Sequence, residues 1–141
     1  MTSPQQAAAR RLEARFDRLW KTDLRKAARV AAALSKSAAR SRDAVARAIA
    51  LRVTAHMDHY RGKSSLAPAK LLRAAALFQG AGHSLDAADV LRSAIDVYAH
   101  LGRDREALTA AARARAIYTR HRDPLRLGKL AVNVGNLHQR R

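Results

Sequence analysis

An all-α fold assembled from helical hairpins is what this sequence predicts, and three observations carry the prediction. Alanine, the best helix former and one that loses no side-chain entropy, fills 33 of the 141 positions, against three Pro and six Gly. Helix-start signals recur at a steady beat. Ring-bearing landmarks Tyr60, Phe78, Tyr98, Tyr118 and His138 follow at intervals of 18, 20, 20 and 20, and Gly82-x4-Ala87-x6-Ala94 returns in the same spacing as Gly102-x4-Ala107-x6-Ala114. A helix of about 16 residues with a turn of about 4 makes such a half-repeat, and two make an antiparallel hairpin of about 40 residues.

Each helix follows from its own chemistry. Ser3 offers a capping hydroxyl, Pro4 suits a first helical position, and Leu12, Phe16, Leu19 and Trp20 form the apolar face of a helix ending near Lys21. Asp23 can cap a second helix striped with Leu24, Ala27, Ala28, Ala31 and Leu34, and the stretch from Ser35 to Arg42 breaks the pattern. Ser41 is the expected cap of a third helix, which carries Val45, Ile49, Val53, His56 and Tyr60 and stops at Gly62. A loop from Gly62 to Ala67 leads to Pro68 and a fourth helix with Leu71, Leu72, Ala75 and Phe78, closed by Gly80 and Gly82. Ser84 is the expected cap of a fifth, with Leu91, Ile95 and Tyr98 inward and Gly102 at its end. Asp104 is the expected cap of a sixth, striped with Leu108, Ala111, Ala114 and Tyr118. Asp123-Pro124 starts a seventh with Leu127, Leu130, Val134 and Leu137.

Composition narrows the function classes. Absence of Cys removes a disulfide framework, a Cys-based zinc site and a thiol nucleophile. No run approaches the ~18 apolar residues of a membrane span, and no secretory signal opens the chain. Glu13 and Asp17 argue against a transit peptide, so a cytoplasmic location is expected. The net charge of +17 invites a nucleic-acid reading through Arg10, Arg11, Arg15, Arg18, Arg25 and Arg29. Against it, residues 1–70 carry 16 basic and 5 acidic side chains and residues 71–141 carry 12 and 6, so the charge is spread along the chain. A generic basic surface, with Arg outnumbering Lys 22 to 6, is the plainer account.

Residues 83–138 resemble tetratricopeptide repeats: Ile95, Tyr98, Gly102, Ala107 and Ala114 match that family's first helix, turn and second helix, and Asp123-Pro124 matches the start of the next repeat. The stretch Ala131-Val132-Asn133-Val134-Gly135-Asn136-Leu137-His138 is similar to the family's first helix, with His138 where Tyr is usual. The longer form of the repeat, with Arg113-Ala114-x-x-Ile117-Tyr118 before Asp-Pro, resembles arrays found upstream of caspase-like CHAT domains in bacteria. The resemblance implies an α-α superhelix, a solenoid of antiparallel hairpins. It divides one domain into a divergent hairpin (1–40), a second (41–82), the best match (83–123), and the first helix of an incomplete repeat or a cap (124–141).

In such solenoids the first helix of each hairpin lines a concave groove. The resemblance therefore implies a peptide-binding face of Asp89, Arg92, Asp96, His100, Lys129, Asn133, Asn136 and Arg140, with a protein or peptide partner and no cofactor. An Asn amide offers donor and acceptor together, which suits an extended backbone. The pair His56 and His59 lies three apart on a helix, but His56 sits on the apolar stripe and no third metal ligand is evident. Gly80-Ala81-Gly82 lacks the third Gly of a dinucleotide turn and joins two helices. No nucleophile-base or paired-carboxylate arrangement can be argued, so a scaffold is expected and an enzyme is not.

Overall fold

The computed structural model describes residues 2–139, and among them every regular element is helical. The helices are α1 (Pro4–Leu19), α2 (Leu24–Ala39), α3 (Ala44–Tyr60), α4 (Ala67–Gly80), α5 (Ser84–His100), α6 (Asp104–Arg120) and α7 (Pro124–Gln139), with a 3-10 turn at Ser64–Leu66. Helical structure begins at positions 4, 24, 44, 64, 84, 104 and 124, an interval of 20 throughout. The beat read from the C-terminal half thus runs back to the first helix. Connections this short force each helix to double back on the one before. Neighbours in sequence pack together, α1 also meets α3, and α5 also meets α7.

From α3 onward the interval is set by the turns. At positions 62, 82, 102 and 122 the backbone enters the left-handed region, with φ of 81°, 81°, 73° and 52°. In each case the next N–H donates back to a carbonyl of the helix just ended: Lys63 to Asp58 (2.7 Å), His83 to Phe78 (2.8 Å), Arg103 to Tyr98 (2.8 Å) and Asp123 to Tyr118 (3.1 Å). That same residue is the one before the next helical element. One residue both ends a helix and opens the next, leaving no slack in the spacing.

Alanine sets how near the helices come. Ala67 and Ala74, Ala87 and Ala94, and Ala107 and Ala114 recur at the same interval, and each is at most 1% exposed. Phe78, Tyr98 and Tyr118 fill the space beyond them and are buried. A single cluster of buried side chains runs from Ala9 to Leu137.

Several boundaries differ from the sequence reading. α2 continues through Ser35 to Ala39, because the exposed face tolerates Ser35, Lys36 and Ser37 while Leu34 completes the buried stripe. Asp43, not Ser41, caps α3 by accepting from the Ala46 N–H, while the Ser41 hydroxyl accepts from the Asp43 N–H. Ser84 and Asp104 are first helical residues, since His83 and Arg103 already occupy the cap positions. The segment from Gly62 to Ala67 contains the 3-10 turn. Leu24, Leu72 and Leu108 are 40% exposed and lie off the buried stripes, and Tyr60 is 51% exposed, on the rim beside Trp20. His138, in register with the rings, is exposed, so that landmark is not a core residue.

Arg122 occupies a backbone position that glycine fills in the three preceding turns. Replacing Arg122 by Gly is expected to raise stability by about 0.5–1 kcal/mol, because a side chain in the left-handed region costs about 1–2 kcal/mol and the unfolded chain returns part of the gain. Gly102→Ala should lose about 1 kcal/mol for its φ alone, as nothing stands within 4 Å of the added carbon. Urea midpoints of both variants check this, and unchanged midpoints would remove the turns as the source of the spacing.

Candidate functional site

The odd-numbered helices share one side of the molecule, and their polar residues meet there. Arg10 on α1 donates to Glu13 (3.0 Å) and reaches Asp86 on α5 (2.8 Å). Arg52 on α3 donates to Glu13 (3.0 Å) and Asp17 (2.9 Å) on α1. Further along, Asp89 accepts from the Tyr118 hydroxyl (2.7 Å) and from Arg126 on α7 (2.9 Å). Asn133 donates to Asp96 (3.0 Å), and its carbonyl faces Arg92 at 3.5 Å. Carboxylate and guanidinium alternate across four helices, so most of the charge on this face is internally satisfied. No buried side-chain polar atom among the described residues lacks a partner.

Two groups show how tightly the face is held. Burial first, and then donation to Asp89, pushes the Tyr118 hydroxyl up to about 12, so it is a fixed donor at neutral pH. Hydrogen bonds to Asp89 and Asp123 raise Arg126 further above its usual range.

Beside this ladder lies a cavity of about 330 Å³ lined by Trp20, Arg52, Ala55, His56, His59, Leu71, Ser93, Asp96 and Val97. The His56 ring meets Trp20 edge-on at 4.4 Å and Phe16 at 5.4 Å, and His59 meets His100 at 5.4 Å. Burial and the nearby Arg52 guanidinium lower His56 to about 4, leaving it neutral at physiological pH. The result is an aromatic hollow with Asp96 and Arg52 at its polar edge.

Of the residues expected on a groove, Asp89, Arg92, Asp96 and Asn133 come together, but they bond to one another and to Arg126 across α5 and α7. His100 meets His59 edge to face, and Lys129 and Asn136 are exposed on α7. Arg140 lies outside the described residues. Sequence reasoning missed the half of the face that α1 and α3 supply: Glu13, Asp17, Trp20, Arg52 and His56. A signal was present, since stepping back two half-repeats from Arg92, Asp96 and His100 reaches Arg52, His56 and Tyr60.

The basic cluster also divides. Arg11, Arg15, Arg18, Arg25 and Arg29 are exposed, whereas Arg10 is committed to Glu13 and Asp86. Among the described residues no group of three His, Asp or Glu could hold a metal ion, and no helix is long and apolar enough to cross a membrane. Comparison with protein-family models, with curated proteins and with solved structures finds no match to this chain.

The depressed His56 gives a pH dependence with a definite sign. Unfolded histidine binds a proton near pH 6.5, but folded His56 resists it down to about 4, so stability is full above 6.5 and drains away as pH falls toward 4. The loss should be about 1–2 kcal/mol, less than the whole shift implies because the ring keeps some contact with water. Melting curves between about pH 7.5 and 4.5 for the wild type and His56→Gln measure it. Parallel profiles would contradict a neutral buried ring.

Proposed function

We propose that this chain is a tetratricopeptide-type solenoid that binds an extended segment of a partner protein along the α1, α3, α5 and α7 face, seating one large apolar side chain in the Trp20–His56 cavity. The aromatic cavity carries the reading. At about 330 Å³ it falls at the small end of the ~300–1,000 Å³ typical of ligand sites, a size suited to one side chain. Aromatic anchors in desolvated pockets supply most of the affinity at protein interfaces, and Trp leads among them.

Other observations support the repeat architecture. Helical structure restarts every 20 residues from position 4 to position 124, with the 3-10 turn at Ser64 holding the beat ahead of α4, and residues 83–138 resemble tetratricopeptide repeats. The accessible surface is 8305 Å², against the roughly 7,200 Å² that a compact chain of 15.5 kDa exposes, as an open stack requires. The polar ladder then has a mechanical role. With Asp96, Asp89 and Glu13 held by Asn133, Arg126 and Arg52, the face is rigid before a partner arrives, which lowers the ordering cost of binding.

In this reading Asn136 and Lys129 serve the partner's backbone and acidic groups, and Asn133 orients Asp96 from behind. No chemistry is assigned to the face, because its carboxylates are engaged by guanidinium and amide donors and His56 stays neutral.

A random peptide library selected on the immobilised protein tests the proposal. Selected peptides should share one aromatic or large aliphatic position and bind Trp20→Ala at least about tenfold more weakly, the loss of a buried anchor of about 1.4 kcal/mol or more. Asn136→Ala should weaken them by a smaller factor. Peptides that bind Trp20→Ala and wild type equally would refute the cavity as the anchor site.

A further inference from the structure

The net charge of +17 is not spread over the molecule as composition suggests. On the odd-helix face Arg10, Arg52 and Arg126 each bridge to carboxylates. The α1–α2 side is different. One hollow between these helices is lined by Leu12, Arg15, Lys26, Arg29, Val30 and Ala33. A second, of about 710 Å³, is lined by Gln5, Ala33, Lys36, Ser37, Arg40, Ser41 and Arg42. Ala33 lines both, so they form one groove. It presents Arg15, Lys26, Arg29, Lys36, Arg40 and Arg42, all exposed, and no carboxylate lines it.

Among the described residues only Lys26 of these six has an ion pair, a loose one of 3.9 Å to the helix-capping Asp23. A surface that simply tolerates charge would leave its cations beside the acids that neutralise them, as on the other face. Six cations facing one trough repel each other, and that cost is offset when a polyanion lies in it.

We propose that the α1–α2 groove binds the phosphate backbone of a double-stranded nucleic acid, without reading its sequence and independently of the odd-helix face. The cations of α2 run from Lys26 to its end at Arg40, a line of about 21 Å at roughly 1.5 Å per residue. Four of the six are Arg, whose planar fork fits phosphate oxygens in pairs. No aromatic ring lines the groove, so the bases of a single strand would find no stacking platform. Attraction then follows phosphate density, which is about twice as high along a duplex axis as along one strand. A membrane surface fits less well, because binding there needs an apolar wedge and the exposed uncharged positions of α2 are Ala32, Ala33, Ser35, Ser37 and Ala39, with Leu24 at its start the one large apolar side chain among them.

Fluorescence anisotropy with a labelled mixed-sequence duplex of about 20 base pairs, titrated from about 50 to 200 mM salt, tests the groove. Four to six neutralised phosphates predict a slope of log K against log salt of about −3.6 to −5.4. Affinity should fall on the order of 10²- to 10³-fold over that range. The variant Arg29→Gln/Lys36→Gln/Arg40→Gln should bind at least about tenfold more weakly and flatten the slope by about 3. The control Arg113→Gln/Arg115→Gln/Arg120→Gln removes the same charge from exposed positions on α6 and should stay within about threefold of wild type. Both variants change only exposed side chains, and matching melting temperatures confirm that fold is not the variable. Equal weakening by the two variants, tighter binding of the single strand than of the duplex, or binding of phosphatidylserine vesicles but not duplex would each overturn the proposal.

Discussion

Everything in this molecule hangs on a turn that leaves no spare residue. In the turns at residues 62, 82, 102 and 122 the amide that closes one helix belongs to the residue before the next helical element, so from position 44 to position 124 helical structure restarts every 20 residues, the step that also separates positions 4, 24 and 44. A fixed step means a fixed phase. Side chains two steps apart return to equivalent places on alternate helices, which is how Arg52 and Arg92, or His56 and Asp96, come to face the same side. Alanine does the complementary work: with Ala67, Ala87 and Ala107 at the contact points the helices close up, and the polar groups of α1, α3, α5 and α7 fall within bonding distance of each other.

Charge is partitioned by the same geometry. Five of the eleven carboxylates, Glu13, Asp17, Asp86, Asp89 and Asp96, lie on the odd-helix face, where each meets Arg, Tyr or Asn. The positive excess is therefore concentrated elsewhere, most densely along α2, which holds Arg25, Lys26, Arg29 and Lys36 and no acid. One face is rigid, close to neutral and indented by an aromatic cavity, while another is a trough of cations with few acids near them. An apolar anchor suits the first and a polyanion suits the second, so the two proposals concern separate surfaces and answer to separate variants.

Much of the fold was legible in the sequence because glycine and proline mark positions that few other residues can fill. Gly62, Gly82 and Gly102 stand in the left-handed region, and Pro4, Pro68 and Pro124 open their helices. The fourth such turn escaped notice because Arg122 does there what glycine does elsewhere. Ser84 and Asp104 look like caps to any rule that scores residue type, yet the turn assigns that position to His83 and Arg103, whose side chains make no capping bond. The candidate site was half legible. Resemblance reached α5 and α7, whereas Trp20 and His56 were read as apolar stripe, which they also are: Trp20 packs against the core, His56 meets the buried Phe16 ring, and both open to the cavity. Tyr60 shows the limit of periodicity, since it keeps the register of the buried rings but faces solvent.

That α1, α3, α5 and α7 form a single interlocked face is the claim on which both the cavity and the charge partition rest. Its most demanding contact is Arg10 to Asp86, 2.8 Å across a sequence separation of 76, with neither partner on a neighbouring helix in the chain. A double-mutant cycle on unfolding free energy with Arg10→Gln, Asp86→Asn and the pair isolates that contact. A coupling of about 0.5–1 kcal/mol, as expected for a partly shielded pair, is the predicted result. Strict additivity of the two substitutions would mean that α1 does not close on α5, and the shared face would be lost with it.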